Sequence, residues 1–286
     1  MDLEELKKER LYPLQADEYE QDGYPYCSKC NTSRFFKYTK PDGDIILKRA
    51  KCECQQQEQD RLEELRKIEE RKREFRERQR LSMIGNKYLD ATFASAEITS
   101  NNKQAFESAK AFVENAKTVI TNNIGLYLYG NNSSGKTYLM ACICNELVNK
   151  GYSCEFTNIP KLLAESGRNL RENRLSQAEI VDNLARKQFV FIDDLGKEFL
   201  GDRNDYNYNK AERLLLEVLN ARYSNGLPTV FTSNYSLDEF IRKFNLDKAI
   251  IERLNEMATR IIRLDGDNFR QKALQEKNKL AKSLGI

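Results

Sequence analysis

Eight consecutive residues have the types and spacing needed to bind a phosphate group. Residues 130–137 read Gly-Asn-Asn-Ser-Ser-Gly-Lys-Thr, which matches the G-x-x-x-x-G-K-[ST] pattern of a phosphate loop. A β-prone apolar segment precedes this stretch and a helix-forming segment follows it, as the pattern requires. Backbone N–H groups and the helix dipole would then face an anion. Lys136 is expected to reach the β- and γ-phosphates of a nucleotide, and the Thr137 hydroxyl to bind Mg²⁺. A simple polar turn is the alternative. The predicted nucleotide-binding residues are Gly130, Asn131, Asn132, Ser133, Ser134, Gly135, Lys136, Thr137 and Tyr138.

Two adjacent carboxylates follow a short apolar segment. Residues 188–196 read Gln-Phe-Val-Phe-Ile-Asp-Asp-Leu-Gly, and an apolar run of this length predicts a buried parallel strand. Asp193, at the end of that strand, is expected to lie beside the phosphate loop and to hold Mg²⁺ directly or through water. Asp194 is expected to polarise an attacking water molecule. The alternative is that both aspartates merely end a strand, and the phosphate loop upstream favours the metal interpretation.

Three further polar residues lie downstream. Asn234 ends a predicted strand at about residues 228–233, where its amide could orient the attacking water and touch the γ-phosphate. A strand-end turn is the alternative, since serine and asparagine favour turns. Arg253 lies in a helical pattern and Arg270 follows a strand-like segment at about residues 259–264. By spacing alone, both arginines could be ordinary surface residues.

Four cysteines near the N-terminus could bind a metal ion. They form two closely spaced pairs, and the residues between the pairs predict two short strands joined by a hairpin. Sulfur pairs flanking such a unit are typical of a Cys₄ zinc ribbon, and so small a segment has few apolar residues for a core of its own. The second pair is tighter than the usual Cys-x₂-Cys, and four unrelated reduced thiols are the alternative. The predicted zinc ligands are Cys27, Cys30, Cys52 and Cys54.

The composition excludes several classes of protein. The 286 residues are 32% charged and include no histidine, which rules out nucleophilic catalysis that depends on imidazole. No apolar run approaches the ~20 residues of a membrane helix, and the N-terminus does not resemble a signal peptide. We therefore expect a cytoplasmic protein with reduced cysteines and no membrane partner. Because the net charge is only +3, nucleic-acid binding would depend on local patches.

The chain divides into three segments by composition. Residues 1–54 hold the cysteines and predict a small zinc-ribbon-like module. Residues 55–84 are densely charged and lack proline, which predicts a long linker helix with i,i+4 ion pairs. Residues 85–286 alternate strand and helix patterns, which predicts an α/β domain with a parallel sheet flanked by helices. The predicted strands lie at about residues 124–129, 152–157, 189–193 and 228–233, and the helices at about 102–120, 136–150, 159–186 and 208–224.

These motifs, in their order along the chain, resemble those of the DnaC/DnaI helicase-loader family of AAA+ ATPases. The likeness covers about residues 85–272, and the cysteine module resembles, more loosely, the zinc-binding N-terminal domain of DnaI-type loaders. The resemblance implies a AAA+ P-loop NTPase fold, ATP hydrolysis used as a molecular switch, and delivery of a DnaB-like replicative helicase hexamer onto single-stranded DNA. The matching segments are residues 88–93, 130–137, 189–196, 219–223, 227–234, 251–254 and 268–270.

The resemblance also implies roles for single residues. Asn234 resembles sensor 1, and Arg270 resembles sensor 2, which contacts the γ-phosphate in cis. Arg253 resembles an arginine finger that acts on ATP held by a neighbouring subunit, so hydrolysis would depend on self-assembly through the ATP site. Guanidinium groups suit this role because they stabilise the charge of the transferring phosphoryl group. The second carboxylate, Asp194, is an aspartate rather than a glutamate, and its shorter arm is expected to slow hydrolysis.

The contacts with partners are less defined. Single-strand binding needs positive charge and aromatic surfaces for stacking. The sequence offers a basic segment after the second strand, which could equally be an exposed amphipathic helix, and two weaker aromatic candidates. Residues 1–54 are expected to bind the helicase, although the ribbon could contact DNA instead. The candidate DNA contacts are Arg168, Arg171, Arg174, Tyr206 and Tyr208.

Two other functions compete with the loader. The first is an IstB-like transposition-helper AAA+ ATPase, which acts on duplex DNA with a transposase. The second is a zinc-dependent DNA-binding adaptor with a vestigial ATP site. The cysteine module and the charged helix favour the loader over the helper. The intact Lys136, Thr137 and Asp193 argue against the vestigial site.

Overall fold

The computed structural model describes residues 14–39, 41, 45–82, 84–167, 176–264 and 269–284. The chain forms two compact units, residues 1–74 and residues 75–286. In the part of the chain that the structure describes, no helix is both long enough and apolar enough to cross a membrane.

The smaller unit has two antiparallel hairpins within its described residues. Strand β1 (Glu18–Gln21) pairs with β2 (Tyr24–Cys27), and β3 (Phe35–Thr39) pairs with β4 (Ile45–Arg49). The second hairpin confirms the two strands predicted between the cysteine pairs. The first hairpin was not predicted from the sequence, because its strands are only four residues long and the second contains a proline. Its one clear signal is the Asp22-Gly23 turn, a dipeptide typical of tight hairpins.

A long helix, α1 (Glu53–Leu81), follows the second hairpin and crosses the boundary between the two units. Its surface carries ion pairs between side chains one turn apart, including Arg61 with Glu58 at 2.9 Å. Such pairs support an exposed helix only weakly, because solvent screens their charges. The apolar residues of its middle part, Leu62 and Leu65, are about half exposed. The helix is therefore the charged, solvated element that the sequence predicts.

The larger unit has five strands among its described residues: β5 (Leu126–Tyr129), β6 (Cys154–Thr157), β7 (Phe189–Leu195), β8 (Thr229–Ser233) and β9 (Arg260–Arg263). They form one sheet in the order β6-β7-β8-β5-β9, and every neighbouring pair is parallel. All five coincide with segments that the sequence predicts as strands or strand-like. The parallel sheet flanked by helices is therefore confirmed, and it has the AAA+ P-loop arrangement.

The helices of this unit occupy the predicted segments with small differences. The segment predicted as one helix at about residues 102–120 contains two helices that meet at Asn115. The Asn115 side chain donates a hydrogen bond to the Ala111 carbonyl at 2.8 Å, and such local bonding competes with the helix backbone. The helices are α2 (Lys103–Glu114), α3 (Ala116–Thr121), α4 (Lys136–Asn149), α5 (Ile159–Gly167), α6 (Gln177–Arg186), α7 (Tyr206–Ser224), α8 (Leu237–Phe244), α9 (Lys248–Met257) and α10 (Phe269–Ser283).

Apolar residues are buried on both faces of the sheet. Successive side chains of a strand point to opposite faces, so Leu128 and Phe191 pack with α2 and α4 on one face, while Tyr127 and Phe231 pack with α7 on the other. Burial on both faces explains why these strands are continuous apolar runs in the sequence. Because the strands are parallel, their carboxyl ends meet at one edge. That edge is where ligands bind in folds of this type.

Candidate functional site

The phosphate loop connects the end of β5 to the start of α4. Gly130 opens the loop with a φ of +148°, and a Cβ atom at this position would lie 2.1 Å from the carbonyl oxygen of Leu264. Gly135, with a φ of +93°, precedes the first residue of α4. Residues with a side chain rarely adopt either conformation. The two glycines are therefore required by the shape of the loop as well as by the sequence pattern.

Lys136 is buried beneath the loop. Its ammonium donates hydrogen bonds to the carbonyl oxygens of Gly130, at 2.9 Å, and Asn131, at 2.8 Å. These bonds tie the first residue of α4 to the beginning of the loop and hold a positive charge inside it. The Ser134 hydroxyl is also buried and has no hydrogen-bond partner among the described residues. A buried polar atom of this kind normally finds a partner, so the loop fits an additional polar ligand such as a phosphate.

Thr137, Asp193 and Thr232 form a compact polar network at the carboxyl edge of the sheet. The Thr137 hydroxyl donates to the Asp193 carboxylate at 3.0 Å, and the Thr232 hydroxyl donates to it at 2.6 Å. Burial raises the pKa of Asp193 above its ordinary value, while the bond from Thr232 opposes that rise. A carboxylate beside a hydroxyl offers the hard oxygen ligands that Mg²⁺ prefers. Thr137 and Asp193 are thus the residues that could hold this ion.

Asp194 has a left-handed backbone conformation, with a φ of +58°. It lies within β7, where the pairing with β8 shifts register between Ile192 and Leu195, and its N–H donates to the Thr232 hydroxyl oxygen at 2.8 Å. Its carboxylate accepts a hydrogen bond from the Lys197 ammonium at 2.6 Å. Thr232 therefore links both aspartates through its hydroxyl group.

A cavity of about 560 Å³ lies over this edge of the sheet. Its volume is within the range usual for small-molecule sites. Of the residues predicted from the sequence, the cavity is lined by residues 132–138, Asp194 and Asn234. The structure thus brings the phosphate loop, the second carboxylate and the predicted sensor residue together around one space.

Other residues that line this cavity were missed by the sequence reasoning. Tyr88, Asn102 and Phe106 provide aromatic and amide groups, and the helix α10 contributes Leu274 and Lys277. They come from segments far apart in the chain, so no local pattern marks them. The signal nearest to them was the 88–93 segment, which resembles the start of the family's ATPase domain. The additional lining residues are Lys87, Ser95, Glu97, Lys197 and Phe269.

Arg253 lies outside the set of described residues that line the cavity. It is on α9, where its guanidinium group is 2.7 Å from the Glu256 carboxylate and 4.0 Å from the centre of the Tyr223 ring. It also donates to the Asn220 side chain at 3.1 Å. The group is thus held in place at a partly exposed surface. This position is compatible with a contact to a second subunit.

Several predicted contacts receive no support from the described residues. Tyr208 is 4% exposed and its hydroxyl donates to the Phe244 carbonyl at 2.6 Å, so the prediction that it stacks on DNA is wrong. Its hydrophobic packing against Phe199 explains the burial. Tyr206, by contrast, is 74% exposed. The arginines whose side chains lie outside the described residues are Arg168, Arg171, Arg174 and Arg270.

The four N-terminal cysteines converge in the smaller unit. The sulfur atoms of Cys27, Cys30, Cys52 and Cys54 all lie within 4.8 Å of one another. A tetrahedral zinc ion with Zn–S bonds of about 2.3 Å would separate its sulfur ligands by about 3.8 Å, so the cluster fits this metal. A hydrogen bond with the Thr32 hydroxyl lowers the pKa of Cys30 to about 6. Hydrogen bonding with Cys52 raises that of Cys54 to about 12, as expected when several thiols share one site.

A buried arginine borders this cluster. Arg34 is 2% exposed, and its guanidinium group donates to the Cys52 sulfur at 3.4 Å. It also contacts Asp17 at 3.1 Å and Glu18 at 2.9 Å. A Cys₄ zinc centre carries a net negative charge, and a positive charge beside its thiolate ligands offsets part of it. The arginine joins the first hairpin to the second cysteine pair, which explains how so small a unit is ordered.

The sequence matches one family model over most of its length. The model describes IstB-like ATP binding proteins and matches residues 48–277. The replicative helicase loader DnaI of Bacillus subtilis is 30% identical over 193 residues, which is 64% of this chain and 59% of that protein. The loader DnaC of Escherichia coli is 21% identical over 169 residues, 59% of this chain and 64% of that protein. The chain thus spans about six tenths of the length of these relatives.

The fold is also similar to solved structures. A crystal structure of DnaI superposes with a TM-score of 0.51 at 27% identity and covers 65% of this chain and 94% of that structure. The resemblance to DnaC/DnaI-type proteins noted in the motifs is thereby confirmed.

Proposed function

The chain belongs to the IstB-like ATP-binding proteins, a family of AAA+ ATPases, and on that premise we propose that it is an ATP-dependent helicase loader. In this proposal it binds a DnaB-like replicative helicase hexamer and delivers it onto single-stranded DNA. The observation that supports this function most is the 30% identity to the replicative helicase loader DnaI over 193 residues. The complete phosphate loop and the paired carboxylates supply the chemistry of a switch driven by ATP hydrolysis.

The proposed ATP site uses the predicted residues that line the cavity together with Gly130, Asn131 and Asp193 at the same edge of the sheet. Residues 130–138 bind the nucleotide, with the buried Lys136 ammonium directed to its phosphates. Thr137 and Asp193 hold Mg²⁺, which offsets the negative charge of the phosphates when bound. Asp194 polarises the attacking water, and Asn234 orients it. Their common position at the carboxyl edge of the sheet supports these roles.

Hydrolysis is proposed to depend on self-assembly. Arg253 is fixed by Glu256 and Tyr223 at a partly exposed surface, away from the cavity-lining residues of its own chain. In the assembly it reaches ATP bound by the neighbouring subunit and stabilises the charge that develops on the γ-phosphate. Arg270, in the first turn of α10, contacts the γ-phosphate of its own subunit. ATP binding and subunit assembly are then coupled.

The segments that precede the ATPase domain are proposed to bind the helicase and to link it to that domain. Residues 1–54 form the helicase-binding module, residues 55–84 the linker and residues 85–286 the ATPase domain. The four cysteines hold a zinc ion, which supplies a crosslink that a unit with few buried apolar residues needs. The proximity of their sulfur atoms supports this assignment.

A second function is favoured by one specific observation. The matching family model is described as IstB-like, and this name fits a transposition-helper ATPase that acts on duplex DNA with a transposase. The two functions share the ATP site and differ in partner and in DNA. The cysteine cluster lies outside the matched residues except for its second pair, so the family match does not account for it.

The experiment that separates the two functions is co-elution with a helicase. We would mix the full chain with a hexameric replicative helicase and ATP, and compare it by gel filtration with the chain that lacks residues 1–54. The loader predicts a complex with the full chain and its loss on truncation. Nucleotide binding by the truncated chain is the control that its ATPase domain remains folded.

Each outcome favours one of the functions. Loss of the complex on truncation would support the loader and the role of the N-terminal module. Absence of any complex, together with ATP-dependent assembly on duplex DNA, would favour the transposition helper.

A further inference from the structure

Lys197 forms an ion pair with Asp194 inside the nucleotide cavity. The ammonium nitrogen lies 2.6 Å from the Asp194 Oδ2 atom, and both residues line the cavity. No sequence pattern assigns a role to this lysine. The pair is notable because the carboxylate that is proposed to polarise water is already bound to a cation.

The backbone beneath this pair is firmly held. The Asp194 N–H is bonded to the Thr232 hydroxyl oxygen, as described above. Two residues further on, the Gly196 N–H donates to the Glu198 carboxylate at 3.1 Å. The rings of Phe240 and Phe244 pack against Gly196 so closely that an added Cβ atom would lie within 3.2 Å of both. The backbone that carries Asp194 and Lys197 is therefore held on both sides of Gly196.

The Lys197 side chain is more exposed than that of its partner. It is 50% exposed, whereas the Asp194 side chain is 30% exposed. A partly exposed ion pair contributes little free energy, so its exchange for another partner is easy. The lysine can therefore leave Asp194 without disturbing the turn that carries it.

Of the carboxylates near Lys197, Asp194 is the one that forms an ion pair with it. The ammonium interacts electrostatically with the carboxylates of Asp193 and Glu198 and forms its ion pair with Asp194. Asp193 accepts hydrogen bonds from two threonine hydroxyls, and Glu198 accepts one from the Gly196 backbone. Asp194 accepts its side-chain hydrogen bond from Lys197.

We propose that Lys197 is a positioning residue that restrains the Asp194 carboxylate until the terminal phosphate of a nucleoside triphosphate draws the ammonium away. This inference rests on the proposed ATPase function and concerns the regulation of that same site. A carboxylate must turn an oxygen toward the water that it orients, and the ion pair with Lys197 fixes the direction of the Asp194 carboxylate. A terminal phosphate carries more negative charge than a carboxylate and is a stronger acceptor for an ammonium.

The exchange gives the site a way to distinguish its ligands. A triphosphate presents the terminal phosphate to Lys197 and releases Asp194, whereas a diphosphate lacks that phosphate and leaves the pair intact. Lys197 therefore contributes to triphosphate affinity and has no contribution to diphosphate affinity. The water-polarising carboxylate becomes available only when there is a bond to hydrolyse.

The test compares the affinities for the two nucleotides in variants of the full chain. Lys197→Met removes the charge and keeps the length of the side chain, and Lys197→Arg keeps the charge. Lys187→Met is the matched control, because Lys187 forms a similar pair with Glu155 at 3.3 Å but does not line the cavity among the described residues. Calorimetric titrations would use ADP and a non-hydrolysable ATP analogue, each with Mg²⁺, and ATP turnover would be measured in parallel.

The expected result is that Lys197→Met loses part of the preference for the triphosphate over the diphosphate. In Lys197→Met the ratio of the ADP and ATP-analogue dissociation constants should fall about threefold to tenfold, through weaker binding of the triphosphate. KM for ATP should rise while kcat does not fall, because Asp194 is then unrestrained. Lys197→Arg should restore the preference, and Lys187→Met should match the wild type in both affinities.

Other results would overturn the inference. An unchanged preference in Lys197→Met, or an equal loss of affinity for both nucleotides with a lower kcat, would show that the lysine has no role in selecting the triphosphate. Absence of nucleotide binding by the wild-type chain would instead overturn the proposed ATPase function, and this inference with it. A wild-type chain that binds and hydrolyses ATP but does not bind a helicase would contradict the loader alone.

Discussion

Replacing Glu198 with glutamine should make the stability of the protein less dependent on pH. The Glu198 Oε1 atom is buried and has no hydrogen-bond partner among the described residues, while Oε2 accepts a bond from the Gly196 N–H. Burial raises the pKa of this carboxyl from its ordinary value of 4.5 to about 7. Glutamine keeps an oxygen for the Gly196 N–H and cannot ionise, so it resembles the protonated glutamate.

The size of the effect follows from the two pKa values. The folded value of about 7 lies above the ordinary value of 4.5, so the stability that this group contributes is present below about pH 4.5 and is lost as the pH rises through 7. A gap of about 2.5 pKa units, at about 1.36 kcal/mol for each unit, corresponds to about 3 kcal/mol. The wild-type chain should lose about this much free energy of unfolding from Glu198 between pH 5 and pH 9.

Urea denaturation at pH 5.5 and pH 8.5 would measure the effect. We expect Glu198→Gln to be more stable than the wild type by about 3 kcal/mol at pH 8.5 and by only about 1.4 kcal/mol at pH 5.5. Glu107→Gln is the control, because Glu107 is an exposed carboxyl in an i,i+4 pair with Lys103. Other buried carboxyls, such as Asp193, are present in every variant and cancel. Equal differences at the two pH values would refute the reasoning.

Three further predictions concern the loop, the polar network and the cysteines. Gly130→Ala places a Cβ atom 2.1 Å from the Leu264 carbonyl oxygen, so nucleotide affinity measured by calorimetry should fall at least about tenfold; Gly85→Ala, which has open space around it, should leave it unchanged. Thr232→Val removes the donor to Asp193 and the acceptor for the Asp194 N–H. It should lower the free energy of unfolding by about 2–4 kcal/mol, and a loss as small as that of the exposed Thr118→Val would contradict the network. Cys30→Ser should reduce bound zinc, measured by elemental analysis, from about one ion per chain to a small fraction; the Ser33→Ala variant should retain it, and a wild-type chain without zinc would refute the metal site.

The sequence was most informative where one physical constraint fixes the residue types. The strands of the sheet are buried on both faces, so they are continuous apolar runs, and their prediction was confirmed. The phosphate loop is constrained in the same way, since the Leu264 carbonyl leaves no space for a side chain at Gly130. The hairpin between the cysteine pairs has strand-forming residues on both sides of a turn-favouring Pro-Asp-Gly sequence and was also confirmed.

Features that depend on tertiary contacts could not be predicted. Tyr208 has the polar neighbours of a surface residue, but the helix turns it into the core against Phe199. The cavity is also lined by Tyr88, Asn102 and Phe106, which come together only after the chain has folded. The pair between Asp194 and Lys197 depends on the left-handed backbone at Asp194, and no local residue pattern indicates that conformation.

The central claim is that ATP binding drives the delivery of a helicase, and a loading assay tests it most directly. A replicative helicase hexamer would be incubated with closed circular single-stranded DNA, ATP and the full chain, and the helicase bound to DNA would be measured after separation of the free protein. Lys136→Ala removes the buried ammonium from the phosphate loop, and the exposed Lys117→Ala is the control. The account predicts loading by the wild type and by Lys117→Ala, and none above background by Lys136→Ala. Equal loading with Lys136→Ala, or no loading with the wild-type chain, would contradict it.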